Sequence, residues 1–158
     1  MGLVFKRWAL ENTLPQRHPY GMGKVLVTIK LTNLSDEILR VEGFRKAKPR
    51  QSAIRALLDT GATRIYLKPS VIRKLGLKPV GKLISSTTNG KVQRTQYAPV
   101  RLDLMGRSGN FDVVEVGEDV PNLVGQVPLE VLDLVVDSKR QKLIGNPEHD
   151  GVQLSEEY

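Results

Sequence analysis

From Lys24 to Thr32 apolar and polar residues alternate, with Val25, Val27, Ile29 and Leu31 on one face and Lys24, Thr28 and Lys30 on the other; Leu26 alone breaks the pattern. A period of two predicts a half-buried strand. Asn33 to Asp36 reads as a turn, Ile38 to Phe44 as a second strand, and Lys46 to Gln51 as a basic loop around Pro49. Ser52 to Leu58 is an apolar strand that runs into Asp59, Thr60 and Gly61, with Ile65, Tyr66 and Leu67 beyond. Pro69 inside a start and Gly76 past an end bracket a short helix over Ser70 to Leu75, the expected asymmetry of helix ends. Val80 to Thr88 and Lys91 to Gln96 flank Asn89-Gly90, a pair that predicts a hairpin with both residues at positive φ.

Tyr97 to Met105 alternates again through Val100, Leu102 and Leu104. A turn over Arg107 to Asn110, centred on Gly109, then leads to a strand over Phe111 to Val116. Asn122-Leu123-Val124-Gly125 feeds a second short helix at Pro128 to Leu132, followed by strands at Leu134 to Asp137 and Gln141 to Ile144. An apolar strand running into a glycine and then a short helix thus occurs twice, at Leu57–Leu75 and Leu123–Leu132. Only the first copy carries an acid before its glycine. Many short strands, two short helices and frequent turns predict an all-β fold, a small closed β-barrel or sandwich. Residues 1–23, punctuated by Pro15, Pro19, Gly21 and Gly23 and carrying Trp8 and His18, read as an N-terminal arm; 24–147 read as the domain and 148–158 as a loose tail.

Composition narrows this little. The 158 residues suit one domain with tails, and aromatics at 5% make the core aliphatic. The absence of cysteine excludes a disulfide scaffold and a zinc–thiolate site, and no metal or cofactor is expected. The net charge of +7 includes a cluster at Arg45, Lys46, Lys48, Arg50 and Arg55. Without an aromatic stacking platform it reads as a solvated loop, so nucleic acid is not an expected partner. No segment approaches the ~20 apolar residues of a membrane span, and the N-terminal residues lack a signal-peptide core; a cytoplasmic protein is the expectation. Asn33-Leu34-Ser35 fits a glycosylation sequon and reads as chance.

The chemistry concentrates at Ala56-Leu57-Leu58-Asp59-Thr60-Gly61-Ala62-Thr63. An apolar strand ending in an acid and then a glycine can hold a carboxylate at the floor of a cleft. By itself Asp-Thr-Gly is also a fair turn sequence, the acid capping its own backbone. The segment resembles the active-site signature of aspartic peptidases, and Leu123-Val124-Gly125 resembles the element that folds against it in the retropepsins. The Asn89-Gly90 hairpin falls where that family carries its flap, and Leu143-Ile144-Gly145-Asn146-Pro147 resembles the ending of bacterial retropepsin-like proteins. The resemblance spans roughly residues 24–147. It implies a barrel of the acid-protease type with half a site per chain.

Two carboxylates a few ångströms apart cannot both ionise, so they share a proton; the ionised member activates water and the protonated one polarises the scissile carbonyl. The other aspartates lack a following Thr-Gly or Ser-Gly, so the resemblance implies a homodimer in which each protomer supplies Asp59. It assigns Thr60 to bonding across the axis, Gly61 to close approach and donation, Ala62 to an uncrowded floor, and Thr88, Asn89 and Gly90 to a flap. Ile65, Val124 and Gly125 are the expected substrate-binding surroundings of an extended peptide. Two positions depart from the retroviral pattern: Arg64 stands where an acid is usual, and Gln126 where an arginine is usual. The alternative from another class is a catalytically silent dimeric β-barrel that binds an extended peptide or partner protein.

Overall fold

The computed structural model describes residues 24–155 and 157; the expected arm over residues 1–23 lies outside the described residues. Among the described residues nine strands and three short α-helices are formed. The strands are β1 (Lys24–Asn33), β2 (Gln51–Asp59), β3 (Ile65–Leu67), β4 (Pro79–Thr87), β5 (Gly90–Leu104), β6 (Arg107–Glu115), β7 (Leu123–Val124), β8 (Leu134–Asp137) and β9 (Lys142–Gly145). The helices are α1 (Leu34–Val41), α2 (Pro69–Leu75) and α3 (Gln126–Val131).

The first seven strands form one sheet in the order β1-β2-β7-β3-β6-β5-β4, and β1 also pairs with β5. That last pairing closes the sheet into a ring, with β4 carried outside it on β5. The 15-residue β5 makes this possible. Its first half pairs with β4, its second half pairs with β1, and an irregularity between Tyr97 and Val100 lets it turn from one to the other. The fold is therefore all-β, with a ring that encloses the core. Ile29, Leu31, Leu58, Leu67, Val100, Leu102 and Val113 fill that core with at most 1% exposure. It is aliphatic, as the scarcity of aromatics implies, and each such side chain contributes about 1.5–3 kcal/mol by burial.

The helix bracketed by Pro69 and Gly76 forms as expected, and Gly76 ends it at φ +64. Three local expectations are corrected. Ile38 to Phe44 is not a strand: α1 covers Leu34–Val41. Asn33 caps it by accepting from the Asp36 N–H at 3.1 Å, and Asp36 and Glu37 place negative charge in the first turn, where the helix dipole favours it. The β-branched and aromatic residues that suggested a strand, Ile38, Val41 and Phe44, are exposed instead. Next, the β4–β5 turn is Thr88-Asn89, with Gly90 already paired to Thr87; Gly90 alone takes positive φ, at +107. The turn is offset by one residue because Thr87 Oγ1 accepts from the Asn89 N–H and donates to the Gly90 carbonyl. Finally, the β5–β6 turn is Met105-Gly106, both at positive φ, not Arg107 to Asn110.

The basic stretch is not all solvated. Asp36, 3% exposed, accepts from the Arg50 backbone N–H at 3.0 Å and from its Nε at 2.8 Å and Nη2 at 2.9 Å; Arg45 lies 3.6 Å away. The Arg50 hydrogen bond outweighs burial and holds the Asp36 carboxyl down at about 2. Asn33 is spent here too: its amide donates to the Leu75 carbonyl at 2.8 Å, joining α1 to α2, and at 3% exposure the sequon is sealed. In the C-terminal stretch His149, Gly151 and Leu154 are tied to the domain rather than loose. Asp133 accepts from His149 Nδ1 at 2.7 Å and from the Leu154 N–H at 3.1 Å, while Arg107 donates to the Gly151 carbonyl. The His149 hydrogen bond in turn holds Asp133 down at about 2. Among the described residues no helix is long and apolar enough to cross a membrane.

Candidate active site

β2 delivers Asp59 to the surface. Ala56, Leu57 and Leu58 are buried, Asp59 is half-buried and Thr60 is exposed, so the carboxylate stands where the strand leaves the core. Asp59 Oδ1 accepts from the Gly61 N–H at 2.9 Å, and the Asp59 carbonyl accepts from the Ala62 N–H at 3.0 Å. This is a turn closed on both its side chain and its backbone, so the local-cap reading of the acid holds as geometry. A Cβ on Gly61 would lie 3.2 Å from Oδ1, so a side chain there would press on the carboxylate.

The loop after Asp59 is clamped from outside. β7 runs parallel to β2, with Leu57 beside Leu123 and Leu58 beside Val124, and antiparallel to β3, with Ile65 beside Val124. Beyond β7, Gly125 N–H donates to the Arg64 carbonyl at 2.7 Å, Gln126 N–H to the Ala62 carbonyl at 2.8 Å and Val127 N–H to the Thr63 carbonyl at 3.2 Å. Gly125 is required by this contact. A Cβ there would sit 2.6 Å from the Thr63 carbonyl carbon and 2.7 Å from the carbonyl carbon and oxygen of Ala62. The two strand–glycine–helix copies read from the chain therefore meet face to face. The second holds the first in place.

Asn122, which sequence reasoning passed over, completes the clamp. It is 8% exposed; its Oδ1 accepts from the Lys68 N–H at 2.9 Å and its carbonyl from the Leu57 N–H at 2.8 Å. A buried amide before a two-residue strand has no period to reveal it.

A groove of about 540 Å³ opens over Asp59, Gly61 and Ala62, with β4 and its turn, from Leu83 to Thr88, as the opposite wall. Thr88 thus lies on the same groove as Asp59, while Asn89 and Gly90 stand exposed at the hairpin end. Two expected walls are corrected. Ile65 and Val124 have no exposed surface and lie in the core. Their strand neighbours Tyr66 and Leu123 face the groove, with Val116 and Val120 beside them. The facing residues are one position away from those expected, because on a strand one step moves a side chain to the other face. Tyr66 lines the groove with its hydroxyl 3.4 Å from Thr63 Oγ1.

Arg64 and Arg94 line the same groove. Gln126 does not reach across to them; its side chain donates to Glu130 at 3.0 Å. No cluster of metal-ligating side chains occurs among the described residues.

An acid held by backbone N–H donation on a clamped turn, at the floor of a groove roofed by a hairpin, can position water against an extended chain. Comparison with known proteins agrees. Residues 40–147 match the model of a protein family described as aspartyl protease. No curated protein matches the chain.

Proposed function

The chain belongs to the aspartyl protease family, and on that premise we propose that it is a homodimeric endopeptidase whose reaction uses two Asp59 carboxylates, one from each protomer. The observation that carries the proposal is the placement of Asp59. Among the described residues it is the one acid on the groove, it stands at the surface end of β2, and exposed Thr60 follows it. A second copy brought to that edge by a two-fold axis adds the second carboxylate and the facing threonine.

The two carboxylates share one proton. The ionised member takes a proton from water as the water oxygen attacks the scissile carbonyl carbon, and the protonated member gives its proton to the carbonyl oxygen. Collapse of the tetrahedral diol breaks the C–N bond, and the amine leaves with a proton from the pair. Gly61 N–H and the clamp from β7 keep the acid in place, so little reorganisation is needed at the moment of reaction. Substrate lies extended between the floor and the β4–β5 hairpin, with main-chain bonds for affinity and the Leu123, Val116 and Val120 wall for an apolar side chain.

Asp59→Asn tests this. Cleavage of a peptide library should fall by at least about 10³-fold, within the range set by a general acid–base group, while sedimentation shows the same dimer as the wild type. Undiminished proteolysis by the variant defeats the mechanism. A folded dimer that binds peptides but cleaves none, in the wild type as well, identifies a silent binding module.

A further inference from the structure

We propose that the connection between β1 and β2 docks on an anionic lipid surface, with Val41 and Phe44 entering the headgroup layer and Arg40, Lys46 and Lys48 meeting its charge. β1 and β2 are antiparallel neighbours, and their pairing ends with Thr32 beside Gln51. A turn of about 2–5 residues suffices to join such a pair. The chain instead leaves at Asn33, forms α1 and returns only at Arg50.

This excursion has a fixed shape. Asp36 ties it to Arg50, and Asn33 ties α1 to the Leu75 carbonyl. The end of α1 is closed by Gly43 at φ +83: the Gly43 N–H donates to the Arg40 carbonyl at 3.1 Å and the Phe44 N–H to the Leu39 carbonyl at 2.8 Å. Phe44 is thereby held against the helix end. The anchoring uses polar groups, and the apolar ones are left outside: Ile38 is 48% exposed, Val41 84% and Phe44 80%. Ile38 and Val41 share a face by helical spacing. A held patch of apolar side chains in water marks a binding surface.

The charge around the patch gives the chemistry of what covers it. From Arg40 to Arg50 there are five cations, Arg40, Arg45, Lys46, Lys48 and Arg50, and one acid, Glu42. Arg45 and Arg50 both face Asp36, and Glu37 pairs with Arg101 at 3.0 Å, while Arg40, Lys46 and Lys48 are exposed beside the apolar tips. Apolar tips rimmed by long basic side chains suit an anionic interface. The tips leave water at the acyl boundary, and the ammonium and guanidinium groups reach headgroup phosphates. The excursion stands at the opposite end of β2 from Asp59, and at about 3.3 Å per residue β2 separates the two by up to roughly 26 Å. Docking there leaves the groove open, and the inference does not depend on the peptidase reading.

The experiment pellets the full chain with vesicles of phosphatidylcholine alone and of equal parts phosphatidylcholine and phosphatidylserine. Binding should be about tenfold or more tighter to the anionic vesicles and should weaken as salt is added. Val41→Ser with Phe44→Ser, and separately Lys46→Glu with Lys48→Glu, should each weaken it about tenfold or more. All four side chains are exposed, so both variants should melt with the wild type and cleave soluble peptides as it does. No binding to anionic vesicles, or equal binding to neutral ones, overturns the inference. Binding that ignores the Val41→Ser, Phe44→Ser change is adsorption to any polyanion and overturns it too. So does wild-type self-association in sedimentation that this variant abolishes, which makes the face a contact between copies.

Discussion

Gly125 is the position where a single methyl group should reach the catalytic acid without touching it. In Gly125→Ala the new Cβ meets the carbonyl carbon of Thr63 at 2.6 Å and the carbonyl group of Ala62 at 2.7 Å. Ordinary contact begins at 3.4 Å, so β7 and the Asp59 loop must part by about 0.7–0.8 Å. Neither side gives cheaply, because both are backbone held by mutual hydrogen bonds. The two bonds received by Ala62 and Thr63, at 2.8 and 3.2 Å, bear the displacement.

At about 0.5–1.5 kcal/mol net each, weakening them costs about 1–3 kcal/mol. Overpacking adds about 1–3 kcal/mol, and the stiffer unfolded chain returns about 0.4–1 kcal/mol. The balance is about 1–6 kcal/mol of destabilisation. For a domain of this size that lowers Tm by roughly 2–20 °C. Because the shift falls on the loop that carries Asp59, kcat should fall by up to about 10²-fold, the scale of a 1 Å misplacement. Thermal unfolding followed by circular dichroism and peptide cleavage below Tm are the two measurements. Gly81→Ala is the control: nothing lies within 4 Å of its Cβ, so its stability should change by no more than about 0.5 kcal/mol. A Gly125→Ala protein that melts within 1 °C of wild type (roughly 0.5 kcal/mol or less) and cleaves normally would refute the clamp argument.

If two Asp59 residues make one site, specific activity should fall on dilution through the dimer dissociation constant and return with concentration; activity independent of dilution down to monomer refutes the shared site. The Asp36–Arg50 pair predicts an acid limb of stability. Its folded carboxyl is depressed, so the contribution is complete above the ordinary value of 3.8 and is lost as pH falls through about 2. The drop of about 1.8 units corresponds to about 2.4 kcal/mol, and screening at Arg50, 44% exposed, reduces this to about 1–2 kcal/mol. Asp36→Asn should lose that much near neutral pH and show a flatter stability curve between pH 4 and 2, measured by urea titration. Asp133, held down mainly by His149, acts with the same sign over the same window, so the variant should flatten the limb without abolishing it.

Local signals carried β1, β2 and α2 well, because alternation and helix-end residues act within a few positions. They failed at Ile38 to Phe44, where the apolar residues that suggested a strand face solvent and an asparagine cap with two first-turn acids decides for a helix. They also failed on the groove walls. β7 is two residues long, too short for a period to say whether Leu123 or Val124 faces the core. Only its insertion between β2 and β3 settles that.

By itself, then, the chain determined an all-β fold, an aliphatic core and a single acid at the end of an apolar strand. Each of these depends on composition or on neighbours in sequence. Tertiary structure decided what surrounds the acid: Gly125 pressed on the backbone of Ala62 and Thr63, Tyr66 and Leu123 turned to the groove, and the Leu83–Thr88 stretch brought to the same groove. Those relations join residues up to 64 positions apart, as Ala62 and Gln126 are. Ring closure places such residues together; no local pattern of residues encodes it.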